Sequence, residues 1–196
     1  VVACNTASAF AVEALREALD VPVIDVIEPG ARAAVRASRG GSIGVIGTAG
    51  TVASGAYVRA IGRAAPGIQV HAKACPLFVP LAEEGWIDGE VPTGVARHYL
   101  QSLLDLGIDT LVLGCTHYPL LKGVIRSVVG EDVTLVDSAE ETAAVVAETL
   151  DASGLHCRVP MVPRLRFLVS DVPDGFRATG RRFLQHDLGE VEWVDF

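Results

Sequence analysis

The sequence predicts an α/β protein with mostly parallel sheet. Three observations carry that expectation. Apolar runs of strand length alternate with amphipathic segments of helix length along the chain. Half of the residues are hydrophobic and only 6% are aromatic, an Ala/Val/Leu/Gly-rich balance that suits sheet-and-helix layers. Three of the runs also end alike, in a small residue, then Cys or Thr at a turn, then a helix: Ala3-Cys4, Gly47-Thr48 and Gly114-Cys115. The 196 residues have room for one large core or two small domains.

Taken in order, Val1-Val2-Ala3 is a strand end, and Cys4-Asn5-Thr6-Ala7-Ser8 turns into a helix with Ala11, Leu15, Ala18 and Leu19 on one face. The chain opens at Val1, inside this strand and without Met, so it reads as lacking an N-terminal portion. Residues 21–27 read as a second strand. Glu28-Pro29-Gly30 reads as a turn and a crossover between domains, followed by an Ala/Arg helix to about residue 39. Residues 42–47 are a buried strand, and Thr48-Ala49-Gly50-Thr51 opens one helix to about residue 65. The hydroxyls there cap a helix start and suit a carboxylate cradle of Thr48, Thr51 and backbone N–H groups. No Gly-Lys-Ser/Thr follows, so this is not a P-loop.

Residues 69–74 are a short strand, and Cys75-Pro76-Leu77-Phe78-Val79-Pro80 is an apolar, proline-punctuated loop before a short helix closing at Gly85. Residues 95–106 form an amphipathic helix ended by Gly107. The stretch the chain is organised around follows, Leu111-Val112-Leu113-Gly114-Cys115-Thr116-His117-Tyr118-Pro119. It reads as buried strand, tight turn and helix, with Pro119 in the first helical turn, where its missing N–H costs nothing. Cys115 thus sits at the carboxyl end of a strand, where open α/β sheets bind ligands and where a helix start lowers a thiol pKa. Residues 133–136 are a strand, and Ser138 with Glu141 forms a capping box for a helix with Thr142, Val145, Val146, Thr149 and Leu150 on one face. Asp137 at that strand end is accounted for by helix-start chemistry. Residues 151–163 read as a linker, 164–169 as a strand, 173–185 as a helix and 191–194 as a last strand.

Composition narrows the function. A net charge of −8 argues against nucleic acid or a membrane surface as partner. No apolar run is long enough to span a bilayer, and no signal-peptide pattern is present. The four cysteines, Cys4, Cys75, Cys115 and Cys157, include no C-x-x-C pair, which fits neither a disulfide scaffold nor a zinc site and points to a reducing cytoplasm. Cys75 and Cys157 read as packing residues, and His71, His98, His156 and His186 as surface or structural groups.

Cys4 and Cys115 occupy matching strand-end settings in two parts of the chain. One reaction needs that symmetry: removal of a proton from one face of a carbon and its return to the other. A base and an acid must then flank the carbon at about 3 Å. Two thiols suffice if one is ionised and the other protonated. His117 is placed to modulate Cys115. Asn5, Thr6 and Thr116 offer hydrogen bonds to a substrate's carboxylates or amine.

Ala3-Cys4-Asn5-Thr6-Ala7-Ser8 and Gly114-Cys115-Thr116-His117-Tyr118-Pro119 together resemble the two signature motifs of the bacterial glutamate racemases, within the aspartate/glutamate racemase family. Supporting likenesses run through Val26-Ile27-Glu28-Pro29-Gly30, Ile46-Gly47-Thr48 with Thr51, the Cys75–Pro80 segment with Glu83 and Glu84, and Asp137-Ser138-Ala139. The resemblance implies two pseudo-symmetric three-layer domains, residues 28–136 forming one and residues 1–27 with 137–196 an incomplete other. It implies a cofactor-independent and metal-free racemase that interconverts L- and D-glutamate, supplies peptidoglycan synthesis and forms a homodimer. Cys4 and Cys115 become the acid/base thiols, assisted by His117 and Glu83. Asn5, Thr6, Thr48, Thr51, Thr116 and His117 become substrate contacts. The family's opening Asp-Ser-Gly strand motif and its Pro-Tyr-Gly motif have no counterpart here. The competing readings are a racemase for aspartate or another amino acid, a hydrolase with Cys115 as nucleophile and His117 as base, and a non-catalytic amino-acid- or protein-binding fragment.

Overall fold

The structure, a computed structural model, describes residues 1–157 and 164–195. The contacts divide it into two compact units, residues 1–156 and 157–196.

The first unit is built on a four-stranded parallel sheet: β1 (Ser42–Gly47), β2 (Gln69–Ala74), β3 (Ile108–Gly114) and β4 (Thr134–Asp137), in the order β2-β1-β3-β4. A crossover joins each strand to the next in sequence, as parallel pairing requires. Two short helices, α3 (Ala49–Ala53) and α4 (Ala56–Ala64), lead from β1 to β2. From β2 to β3 the chain runs through α5 (Phe78–Glu84) and α6 (Glu90–Leu104). A 3-10 turn, Tyr118–Leu121, and α7 (Lys122–Val129) connect β3 to β4. The connection after β1 goes to one side and that after β3 to the other. The order therefore reverses between β1 and β3, and a crevice opens at their carboxyl ends.

Strand alternation sends side chains to both faces. Leu111 and Leu113 join Ile46 in a core with Phe78, Leu100, Tyr118, Leu121 and Ile125. Ile43, Val45 and Val112 pack on the opposite face against Ile27, Ala31, Ala34, Tyr57 and Ile61, from α4 and from α2 (Ile27–Ala37). Three layers result. The helix that opens the chain, α1 (Asn5–Ala18), turns Asn5, Ser8 and Val12 inward, while Leu19 caps its end in solvent. Following β4, α8 (Ser138–Ala152) packs against α2.

The second unit pairs β5 (Phe167–Val169) with β6 (Val191–Trp193) in parallel, joined by α9 (Pro173–Leu184). Leu188 packs so closely on Gly180 that a Cβ there would lie 2.6 Å from Leu188 Cδ2. The linker expected over 151–163 begins only after α8 ends at Ala152, and its residues 158–163 lie outside the described residues.

Five local expectations are corrected. Residues 21–27 form no strand; Asp25 makes a single parallel bridge to Val2. The Asp25 carboxylate instead accepts from the N–H groups of Ile27 (2.8 Å) and Glu28 (2.9 Å), which satisfies the start of α2. Glu28-Pro29-Gly30 is accordingly a first helical turn rather than a loop. The helix expected over 48–65 breaks at Gly55, whose φ of +65° only glycine adopts freely. Helix α5 starts at Phe78, inside the segment read as a loop. Asp137, not Ser138, caps α8 by accepting from Ala139 N–H at 2.9 Å. No helix among the described residues is long and apolar enough to cross a membrane.

Candidate active site

The carboxyl ends of β1 and β3 approach each other more closely than side chains permit. A Cβ on Gly114 would lie 2.7 Å from Ile46 O, and one on Gly47 would lie 3.2 Å from Gly114 O. Glycine at both positions lets Thr48 and Cys115 emerge side by side at the crevice. A cavity of about 390 Å³ opens there, lined by Ala3, Cys4, Asn5, Thr6, Thr48, Val79, Cys115, Thr116 and His117.

Both cysteines singled out in the sequence line this one cavity, in different settings. Cys4 is exposed and caps α1, its sulfur accepting from Ala7 N–H at 3.5 Å. Cys115 is 7% exposed. Burial pushes its thiol up to about 11. The backbone N–H groups of His117 and Tyr118 point at the sulfur and pull the other way, while Cys4 and Glu83 add to the rise. The expectation that a helix start lowers this thiol is thus corrected: desolvation outweighs the two donors. Tyr118 anchors the turn from behind, its hydroxyl donating to Cys75 O at 2.9 Å and its ring meeting Phe78 edge-on at 5.2 Å.

His117 faces Glu83, with Nε2 3.3 Å from Oε1. Of the adjacent glutamates, Glu83 is the one that reaches the imidazole. Glu83 does not line the cavity itself and meets it through His117. Thr116 donates to Ala3 O at 3.2 Å, which ties the two cysteine turns together.

Three hydroxyls form a closed triangle at the third junction. Thr6 Oγ1 lies 2.8 Å from Thr48 Oγ1 and 3.1 Å from Thr51 Oγ1, and Thr48 and Thr51 are 3.1 Å apart. Thr48 also caps α3, accepting from Thr51 N–H at 3.1 Å. Thr6 and Thr48 line the cavity, whereas Thr51 is buried beneath them and reaches it only through this triangle.

Cys75 is fully buried in the core, where desolvation pushes its thiol up to about 12, in keeping with a packing role. Cys157 is exposed, which corrects its reading as a packed residue: it lies a few residues beyond the end of α8. Among the described residues no group of three His, Cys, Asp or Glu side chains could hold a metal ion. Sequence reasoning missed Val79, which forms an apolar patch of the cavity lining, and Tyr57, whose hydroxyl donates to Asn5 Oδ1 at 2.7 Å. The signal for Val79 was its place in the Cys75–Pro80 segment. Tyr57 meets Asn5 only through the tertiary fold.

A parallel α/β unit with two thiols in one cleft at its switch point is the class that fold and site define. Residues 1–146 match the Asp/Glu/hydantoin racemase family. The chain belongs to that family. It is 58% identical to the glutamate racemase of Geobacter metallireducens over 194 residues, 99% of this chain and 72% of that protein. A crystal structure of a glutamate racemase isoform from Bacillus anthracis superposes with a TM-score of 0.92 at 41% identity, covering 98% of this chain and 72% of that one. That of the Francisella tularensis glutamate racemase, in complex with D-glutamate, gives a TM-score of 0.89 at 37% identity, over 98% and 71%.

Proposed function

We propose that this protein is a glutamate racemase, interconverting L- and D-glutamate without a cofactor by proton transfer between Cys4, Cys115 and the substrate Cα. The observation that carries the reading is the convergence of both thiols on one cavity amid hydrogen-bonding groups. The homologous glutamate racemases, one of them holding D-glutamate, supply the substrate.

In each direction one sulfur, as thiolate, takes the α-proton. The electron pair left on Cα delocalises into the α-carboxylate. The other sulfur, as thiol, delivers its proton to the opposite face. Donors aimed at the carboxylate lower the barrier, because negative charge grows there. Asn5 and Thr6 fill that role, while Thr48 and Thr116, whose protons go to Thr51 and to Ala3 O, offer their hydroxyl oxygens to the substrate's ammonium, and Thr51 holds the Thr6–Thr48 pair in place. Burial keeps Cys115 a thiol at neutral pH, ready to act as the acid. For it to serve as the base its proton must leave first, and His117 backed by Glu83 is the acceptor we assign.

The wider reading places the enzyme in the cytoplasm as a homodimer, supplying D-glutamate for peptidoglycan. Residues 28–136 belong to one racemase domain, and residues 1–27 with 137–196 to the other.

Proton NMR of each glutamate enantiomer in D₂O, with the protein at its full natural length and no pyridoxal phosphate, tests the proposal. Loss of the α-proton signal from both enantiomers is expected. Exchange of aspartate but not glutamate would contradict the substrate assignment. A Cys115-nucleophile hydrolase would keep its activity on Cys4→Ser, whereas the racemase loses it.

A further inference from the structure

Three buried polar side chains, Asn5, Tyr57 and Ser138, stand in a row running back from the cleft, and the mechanism above uses only Asn5. Asn5, 3% exposed, lines the cavity. The Tyr57 hydroxyl, 2% exposed, donates to Asn5 Oδ1 at 2.7 Å. Ser138, 6% exposed at the start of α8, hydrogen-bonds in turn to Tyr57. Gly30 leaves room for this meeting: a Cβ there would lie 3.1 Å from the Tyr57 hydroxyl and 3.0 Å from Ser138 Cβ.

The chemistry gives the row a direction. A phenol has one proton to donate. That proton goes to Asn5 Oδ1, which leaves the phenol oxygen to accept from Ser138. Burial raises the Tyr57 pKa further, which keeps the hydroxyl a neutral donor throughout the working pH range. With Oδ1 engaged behind the cleft, the NH₂ end of Asn5 is what remains for the ligand. An amide reversed end for end would present an oxygen to a carboxylate and repel it.

We infer that Tyr57, supported by Ser138, is a positioning residue that turns the donor end of the Asn5 amide toward a carboxylate of the bound amino acid. The inference deepens the glutamate racemase reading and rests on it for the identity of the ligand. The orientation of Asn5 is a property of the protein alone. Tyr57→Phe keeps the ring that packs over Gly114 and removes only the hydroxyl. Asn5 Oδ1 then loses its partner, and the amide is free to rotate.

The test combines steady-state kinetics in both directions with side-chain amide ¹⁵N spectra of the ligand-free protein, for wild type, Tyr57→Phe, Ser138→Ala, Asn5→Ala and the Tyr57→Phe/Asn5→Ala double variant. Tyr57→Phe is expected to shift the Asn5 amide resonances and to raise KM for both enantiomers about tenfold or more, with kcat changing less. Ser138→Ala moves both readouts the same way by a smaller amount, and carries the test alone if Tyr57→Phe fails to fold. In the Asn5→Ala background Tyr57→Phe adds nothing. Unmoved amide resonances with unchanged KM would overturn the inference. So would a Tyr57→Phe effect that persists in full without Asn5, since Tyr57 would then act by packing. If wild type fails to racemise glutamate while the resonances still shift, the substrate reading falls and the positioning role stands.

Discussion

The two cysteine turns share a motif and differ in what surrounds them. At Cys4 a single irregular bridge, Val2 to Asp25, leads into the turn, and the sulfur stands in solvent as the cap of α1. At Cys115 a fully paired central strand leads in, a glycine contact pins the strand end, and the sulfur is buried under Tyr118 and its neighbours. One sequence pattern thus gives one exposed and one desolvated thiol. Position at a helix start does not settle a thiol's ionisation; the water it loses can weigh more.

The largest expected effect tests whether the two turns are equally necessary. Cys4→Ser and Cys115→Ser should each lower racemisation by about 10³-fold or more in both directions, since each thiol is base in one direction and acid in the other. Chiral chromatography of the products would check it. A Cys4 variant that keeps most activity would break the pairing.

The contrast in backbone support predicts the next effect. Gly114→Ala forces a Cβ to 2.7 Å from Ile46 O and should cost about 2–3 kcal/mol in urea unfolding. Gly47→Ala meets Gly114 O at 3.2 Å and should cost about 1 kcal/mol.

Thiol alkylation as a function of pH sharpens the electrostatic contrast. Only the thiolate reacts, and burial raises the Cys115 pKa, so its thiolate fraction at pH 8 is small and grows as pH rises. In the Cys4→Ser variant the Cys115 rate, read by mass spectrometry, should climb about tenfold per pH unit and still be rising at pH 10. Levelling by pH 8.5 would contradict the burial argument. The same shift makes stability fall above pH 9, because the unfolded chain releases this proton before the folded one does.

The smallest effect separates the adjacent glutamates. Glu83→Gln should lower kcat about tenfold by loosening His117, while Glu84→Gln leaves it unchanged. Equal losses would mean that the His117 contact is not what matters.

The sequence displayed the strand ends and both thiols, because short apolar runs stopping at a small residue followed by Cys or Thr are local signals. Residues 21–30 were not legible in the same way. Proline beside glycine looks like a turn until Asp25 is seen capping α2 and Gly30 is seen packed against Tyr57 and Ser138. The desolvation of Cys115 and the hydrogen bond from Tyr57 to Asn5, 52 residues apart, exist only once the layers close. Motif spacing located the chemistry, while burial and long-range polar contacts determine how each group behaves there.

The central claim is that two thiols, and not one mobile base, handle the proton. It is tested most directly by deuterium partition in D₂O at low conversion, starting from each enantiomer. The account predicts product fully deuterated at Cα while the remaining substrate keeps its proton, in both directions. Product that retains the substrate's own proton, or deuterium equally distributed between product and recovered substrate, would contradict it.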